Sequence, residues 1–419
     1  MSKNREDDRL LELREPDYMD DFICTGSLCP DTCCQGWEIV IDEATCERYA
    51  KMPDGEVRDL LSRAIVHRQE EQADGSSAEI ACIRMGKGQR CLFLRNDGWC
   101  LIQRKTTETN LSETCRTYPR VIYCWNESYA ERALCVSCPE AARLILGTDE
   151  PLRFHTKQLP EAELAGLRIT DEGEHLRADC LPLRRFIVHI LQSDTQPLAR
   201  RLQLADEFFW AATDCSGHHA DKKQQDLQAA FEAQLAVEVD PPALLKNNDA
   251  WRLAQLQQLL ELRLKNPELR PDFRWRAEGA LKGWGMTVGE AVSADSLARY
   301  EEDQSVYQLF FLPEYQQLLE NYLVNAVFKN LFMTEEQPDY YREWFRLVLQ
   351  FSLVRCLLIA QLAARQDVPD RESVIELIQQ TTRAIGHDAL YLDQAAASLT
   401  VGQDAAQALQ AFCQRILKG

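Results

Sequence analysis

Cysteine is concentrated in one part of this 419-residue chain. Twelve of the sixteen cysteines lie between Cys24 and Cys138, and the rest of the chain holds four. The first residues, Met1 to Arg9, are charged, and the apolar segment of a secretory signal does not follow them. The sequence therefore predicts a cytoplasmic protein, in a reducing compartment where clustered thiols bind metals more often than they form disulfides.

Several of these cysteines are close enough for one turn to supply more than one metal ligand. Cys29, Cys33 and Cys34 form one such set, and Cys135 with Cys138 forms another. A further set is separated by loops and completes a site only after folding: Cys24, Cys91, Cys100 and Cys115. Four thiolates suit either tetrahedral zinc or a [4Fe–4S] cluster, and twelve thiols exceed one such site.

Composition excludes several classes of protein. A hydrophobic content of 45% is typical of a globular fold, and the net charge of −19 argues against nucleic-acid binding. The longest apolar candidate, Leu353 to Ala364, is interrupted by Arg355 and Gln361, so it predicts a buried helix and no membrane span.

The sequence lacks a dinucleotide-binding glycine motif and a P-loop, and Gly36 replaces the last cysteine of the C-x3-C-x2-C motif of radical S-adenosylmethionine enzymes.

The cysteine region predicts short elements. Residues 1–23 indicate a frayed lead-in or a first helix, and residues 37–42 alternate as in a strand. Asp42 is placed to cap a helix through Tyr49, and the apolar spacing of residues 55–72 predicts another helix. Pro139 is typical of the first turn of a helix that ends before Gly147.

Beyond residue 150 the sequence changes to long amphipathic segments. The predicted helices are 183–193, 198–213, 222–236, 241–265, 294–309, 314–331, 338–365, 370–385 and 388–417. The overall prediction is a mainly α protein with two domains. Residues 1–150 form a small cysteine-rich metal-binding domain with short irregular elements, and residues 151–419 form an all-helical array.

The remaining cysteines and histidines give weaker indications. Cys215-Ser-Gly-His218-His219 suits a small metal site, although a loop between helices is the simpler interpretation. The isolated histidines are expected to be structural or exposed, and they are His155, His175, His189 and His387. Four cysteines outside the cluster are expected to be small buried apolar groups: Cys180, Cys215, Cys356 and Cys413.

Short motifs follow one another in the cysteine region. They are Cys29-Pro-Asp-Thr-Cys33-Cys34-Gln-Gly-Trp37, Cys91-Leu-Phe-Leu, Asp97-Gly-Trp-Cys100, Leu111-Ser-Glu-Thr-Cys115-Arg-Thr-Tyr-Pro-Arg120 and Ser137-Cys138-Pro-Glu140. In this order they resemble the flagellin lysine-N-methylase family, which is related to bacterial zinc- or iron-chelating cysteine-cluster proteins. The segment Glu320 to Asn330 is also similar to that family.

The resemblance implies methyl transfer from S-adenosylmethionine to lysine ε-amines of flagellin, in a protein that carries a [4Fe–4S] cluster, with zinc as the alternative. Flagellin is the implied partner, with no nucleic acid and no membrane. The metal ligands implied by position are Cys24, Cys29, Cys33, Cys34, Cys91, Cys100, Cys115 and Cys138. Cys46, Cys82, Cys124 and Cys135 lie outside this framework. No residue stands out as the catalytic base or as a ligand of the methyl donor.

The role of a cluster is open at this stage. It would stabilise a small domain, hold the methyl donor or drive radical chemistry, and the missing C-x3-C-x2-C motif weakens the last option. The helical array is the candidate surface for flagellin. The competing hypothesis is a non-enzymatic metal-binding or redox-sensing module whose helices dock a protein partner.

Overall fold

Helices dominate the structure, a computed structural model, as the sequence predicts. The structure describes residues 10–37, 39–71, 77–126, 128–160, 180–212, 220–237, 249–330, 340–364, 369–402 and 404–417. The Cys215–His219 motif lies outside these residues, and so does the first part of the helix predicted at 241–265.

Two small sheets lie in the first 160 residues. The strands are β1 Leu10–Pro16, β2 Ile39–Ile41, β3 Ile65–Glu71, β4 Ser77–Ile83, β5 Arg120–Asn126, β6 Tyr129–Leu134 and β7 Phe154–Pro160. One sheet has the order β5-β6-β1-β7, in which β1 runs parallel to β6 and antiparallel to β7. The other has the order β2-β4-β3.

Short helices separate these strands. They are α1 Glu43–Ala50, α2 Glu56–Ala64, α3 Leu101–Lys105, α4 Glu113–Thr117 and α5 Pro139–Leu146. The predicted cap is confirmed, because the Asp42 carboxylate accepts a hydrogen bond of 2.7 Å from the Thr45 amide. The helix predicted from Pro139 to Leu146 is confirmed with the same bounds.

Two predictions for this region are wrong. The helix predicted over 55–72 ends at Ala64, and residues 65–71 form β3. Leu10–Pro16 is a strand in place of the expected lead-in or helix, and its period-two pattern buries Leu11 and Leu13. In both cases pairing with a distant strand overrides a weak local pattern.

The helical array follows β7. Its helices are α6 Leu181–Leu191, α7 Leu198–Ala212, α8 Ala220–Leu235, α9 Asp249–Leu264, α10 Pro271–Gly283, α11 Ala294–Val306, α12 Leu312–Asn330, α13 Tyr340–Ala364, α14 Arg371–Ile385, α15 Ala389–Leu399 and α16 Ala405–Leu417. Helix α10 was not predicted, and residues 388–417 form two helices where one was expected. The predicted cap of α14 is confirmed, because Asp370 accepts from the Ser373 amide at 2.9 Å.

The core of the array surrounds α13. By length and composition its segment Tyr341–Leu362 is apolar enough to cross a membrane. However, 72% of its most apolar 18-residue stretch is buried inside the fold. This agrees with the buried helix predicted there. A separate apolar cluster, which includes Ile39, Phe93 and Leu101, lies under the cysteine region. The cysteines are therefore held between a small core of their own and the helical array.

Candidate metal centre

Turns and short helices position the eight cysteines predicted as ligands, all of which are free thiols. Cys24 and Cys29 flank a turn at Gly26, whose φ of +58° favours glycine. A side chain at this position would also meet the Trp99 ring, since a Cβ would lie 3.1 Å from it. Close packing of these two loops brings cysteines distant in sequence toward one another.

Four thiols form one group, the Cys34 group, which consists of Cys34, Cys91, Cys100 and Cys115. The Cys91 amide donates a hydrogen bond of 2.8 Å to the Cys34 carbonyl. Burial, together with the neighbouring thiols of the group, raises the pKa of Cys91 and of Cys115 to about 12. Burial and the neighbouring Cys34 also raise the pKa of Cys100. The four sulphurs therefore lie near enough to influence one another's ionisation.

Cys24, Cys29 and Cys138 form a second group, the Cys24 group. Burial raises the pKa of Cys138 to about 12, with further contributions from the charges of Cys29 and Cys24. Burial also raises the pKa of Cys29, and Cys24 adds to that shift. Cys24 itself is exposed, so this group reaches the protein surface.

Cys33 lies between the two groups. Its thiol hydrogen bonds to Cys34, which is the main reason that the pKa of Cys33 is raised; burial follows, with smaller effects from Cys115 and Cys24. The same hydrogen bond is the main cause that lowers the pKa of Cys34 to about 7. The Cys34 group already has four thiols and the Cys24 group has three. Counting Cys33 with the Cys24 group gives two sets of four.

The donor set is compatible with an iron–sulfur cluster. Buried thiolates need a cation to offset their mutual repulsion and their desolvation. A single tetrahedral zinc ion with Zn–S bonds of about 2.3 Å holds its sulphurs about 3.8 Å apart. Among the described residues no three thiol sulphurs lie within 4.8 Å of one another. A [4Fe–4S] cluster binds each thiolate at a different iron, so its thiolates lie farther apart than those around one zinc ion.

The cysteine loop is attached to helix α14 by Arg383. This guanidinium donates to the Asp31 and Thr32 carbonyls at 2.8 and 2.7 Å, and also to the Gln35 carbonyl. Gln379, one turn earlier, donates to the Asp31 carboxylate at 2.9 Å. Arg383 also helps to lower the pKa of Cys34. The helical array thus contributes directly to the position of the thiols.

Cys135 faces a different set of side chains. Its sulphur accepts a hydrogen bond of 3.0 Å from the Ser137 hydroxyl and lies 3.8 Å from the Nε2 atom of His387. Burial opposes ionisation of this thiol, but the charges of Lys329 and His387 outweigh it and lower the pKa to about 5. His387 was expected to be merely structural or exposed, and 252 residues of sequence separate it from Cys135. Nothing in the local sequence signals this contact.

The other cysteines outside the framework have ordinary locations. Cys82 lies in strand β4 and Cys124 in strand β5. Cys46 lies in α1, where burial and the acidic Asp42 and Glu43 raise its pKa. Cys356 is fully buried in α13, as expected of a small apolar group.

Comparison with known proteins connects this chain to one enzyme family. Residues 184–407, just over half of the chain, match the family described as FliB lysine N-methylase C-terminal domain. The flagellar biosynthetic protein FliU of Salmonella muenchen is 26% identical over 148 residues, which cover 35% of this chain and 85% of FliU.

Lysine-N-methylases of Salmonella choleraesuis and Salmonella typhimurium are each 26% identical over 149 residues. This match covers 36% of this chain and 36% of each relative, so it spans about a third of their length. No solved structure matches the chain.

Proposed function

The chain belongs to the FliB lysine N-methylase family, and we propose that it transfers methyl groups from S-adenosylmethionine to lysine ε-amino groups of flagellin. The family supports protein lysine methylation, and the flagellar name of the relative FliU supports a flagellar substrate. The reaction takes place in the cytoplasm, where the methyl donor and newly made flagellin are both present.

The observation that carries this proposal is the arrangement of the thiols in a chain of this family. The eight proposed ligands are Cys24, Cys29, Cys33, Cys34, Cys91, Cys100, Cys115 and Cys138. They would hold two [4Fe–4S] clusters, one at the Cys34 group and one at the Cys24 group, to which Cys33 contributes the fourth thiolate. A bound cluster would supply folding free energy and a one-electron centre, since four thiolates occupy all four of its irons.

The transfer itself needs a neutral amine. The lysine nitrogen attacks the methyl carbon, the carbon–sulphur bond to the donor breaks, and S-adenosylhomocysteine leaves as a neutral thioether. Free lysine has a pKa of about 10.4, so the protein must remove the ammonium proton or desolvate the group before attack. The net charge of −19 favours encounter with lysine-bearing surfaces of flagellin.

A labelling experiment tests the proposal. The protein, purified without oxygen, is incubated with flagellin and a methyl-labelled donor, and peptides of flagellin are analysed by mass spectrometry. We expect label on lysine side chains, and none when S-adenosylhomocysteine is present in excess. If a metal-loaded, folded protein leaves flagellin unlabelled, the proposal is wrong, and a non-enzymatic metal-binding module becomes the better description.

A further inference from the structure

A cavity of about 910 Å³ opens beside the Cys24 group. Its walls include Thr25 and Pro30, which follow Cys24 and Cys29 in sequence, and Pro139, which follows Cys138. The opposite wall is the beginning of helix α14. Small-molecule sites commonly have volumes of about 300–1,000 Å³, so this cavity has room for a ligand the size of a nucleoside derivative.

Two charged groups in this cavity have hydrogen-bonding capacity that no described residue uses. One terminal nitrogen of Arg371, Nη1, is buried without a hydrogen-bond partner, whereas Nη2 pairs with Asp149. The side chain of the neighbouring Glu372 forms no hydrogen bond or ion pair with any residue that the structure describes. A buried donor without a partner is costly, and a group such as Arg371 Nη1 needs ordered water, an ion or a ligand to satisfy it; Glu372 is exposed and available to a ligand.

Three other charges of the cavity are already engaged. Arg143 and Glu140 pair through two hydrogen bonds, of 3.0 and 2.6 Å. Asp31 pairs with Arg270 and Arg383 at 2.9 and 2.8 Å. The lining as a whole has four carboxylates and two guanidinium groups, so it favours a ligand with net positive charge.

The apolar part of the lining suits a flat ring. Ile375 and Leu144 line the cavity, and both are only partly buried against the core. A ligand that satisfies the whole site therefore carries a carboxylate, at least one positive charge and an apolar ring system. A lysine side chain of a protein substrate has no carboxylate and fills only a fraction of this volume.

We propose that this cavity binds S-adenosylmethionine, an inference that rests on the proposed function and assigns its donor site. Arg371 pairs with the donor carboxylate and Glu372 with its ammonium group. Glu376, one turn further along α14, accepts from Gln380 through Oε1 at 2.7 Å, and its other oxygen accepts from the ribose hydroxyls. The adenine lies on Ile375. The acidic lining offsets the charge of the sulfonium, which lies toward the Cys24 group.

Binding of S-adenosylmethionine and of S-adenosylhomocysteine to the full chain, measured by titration calorimetry without oxygen, tests this assignment. Glu372→Gln removes the unpaired carboxylate, and Ile375→Trp fills the cavity. The control is Glu268→Gln, the same chemical change in a separate cavity of about 500 Å³. Iron content and circular dichroism check that each variant is folded and loaded.

We expect Glu372→Gln to raise the Kd of S-adenosylmethionine about tenfold, as for loss of one charge-assisted hydrogen bond, and Ile375→Trp to abolish binding. Glu268→Gln should bind as the unmodified protein does. Unchanged affinity in both cavity variants would overturn the donor site and leave the proposed function standing. Failure of the unmodified protein to bind either compound would overturn the proposed function as well.

Discussion

Arg383 and Asp31 form an ion pair of 2.8 Å across 352 residues of sequence. The Arg383 side chain is only 6% exposed, so the pair is shielded from solvent. It joins the loop that carries Cys33 and Cys34 to helix α14, which also lines the proposed donor cavity. The stability of the fold and the position of the thiols therefore depend on the same contact.

Arg383→Met should destabilise the protein strongly. Asp31 keeps Arg270 as a partner, but the loop carbonyls of Asp31, Thr32 and Gln35 lose their buried donor, which costs about 1–3 kcal/mol for each group left unsatisfied. Arg299→Met is the matched control, because Arg299 pairs with Asp295 at 2.8 Å but is 51% exposed. That change should cost at most about 1 kcal/mol. Urea denaturation measures both values, and equal losses would show that the buried pair has no special role.

Single cysteine changes should separate the two thiol groups. Cys115→Ala removes a member of the Cys34 group, and Cys138→Ala removes a member of the Cys24 group. Each should lower the iron content of the anaerobic protein by about half, since four thiolates hold one [4Fe–4S] cluster. Cys46→Ala, in the same region but outside both groups, should retain all the iron.

The two variants also test whether the groups are independent. If each of them loses all the iron, the thiols serve one shared site and the division into two is wrong. Cys33→Ala should behave like Cys138→Ala, with loss of the cluster at the Cys24 group alone.

The Cys135 thiol should make stability depend on pH. Its folded pKa of about 5 is below the unfolded value of about 8.5. The stabilisation that the ionised thiol gives the folded protein is therefore fully present above a pH of about 8.5 and is lost as the pH falls toward 5. The difference in unfolding free energy between the unmodified protein and Cys135→Ala should shrink over this interval, by up to about 1.4 kcal/mol per pH unit.

Cys356→Ala provides the control for that measurement. Burial raises the pKa of Cys356 to about 12, so this thiol is neutral in the folded protein throughout the interval. Its substitution should cost the same free energy at pH 5.5 and at pH 7.5. If the difference in unfolding free energy between the unmodified protein and Cys135→Ala is also independent of pH, Cys135 is a neutral thiol in the folded protein.

Salt should slow the reaction with flagellin. If the net charge of −19 steers the encounter with lysine-rich surfaces, the kcat/KM for flagellin falls as ionic strength rises, because the Debye length shortens from about 10 Å at 0.1 M to about 3 Å at 1 M. The kcat at saturating flagellin should change little. A kcat/KM that does not respond to salt would assign the charge to solubility alone.

Local signals in the sequence were sufficient for some elements. Asp42, Asp370 and Pro139 mark helix starts because capping and the fixed φ of proline act within one turn. The period-two pattern of residues 10–16 is too short to be distinguished from a helix, and β1 forms because β6 and β7 pair with it. Sequence reasoning could therefore predict the helical class and the strand at 37–42, which forms β2, but not the pairing of distant strands into two sheets.

In the candidate metal centre, too, some features follow from local sequence and others arise only from the fold. The motifs predicted eight cysteines as ligands, but their assignment to two groups depends on contacts between distant loops. The approach of His387 to Cys135 and of Arg383 to Asp31 arises from packing of α14 and the following turn against the cysteine region. Such contacts leave no periodic or spacing pattern in a single sequence.

The most direct test of this account is the metal content of the unmodified protein purified without oxygen. Iron, zinc and acid-labile sulfide are measured per chain, together with the visible absorption spectrum. We expect about eight iron and about eight sulfide ions per chain, with the broad visible absorption of sulfide-bound iron, because two groups of four thiols each hold one [4Fe–4S] cluster. A colourless protein that contains zinc and no sulfide would contradict it.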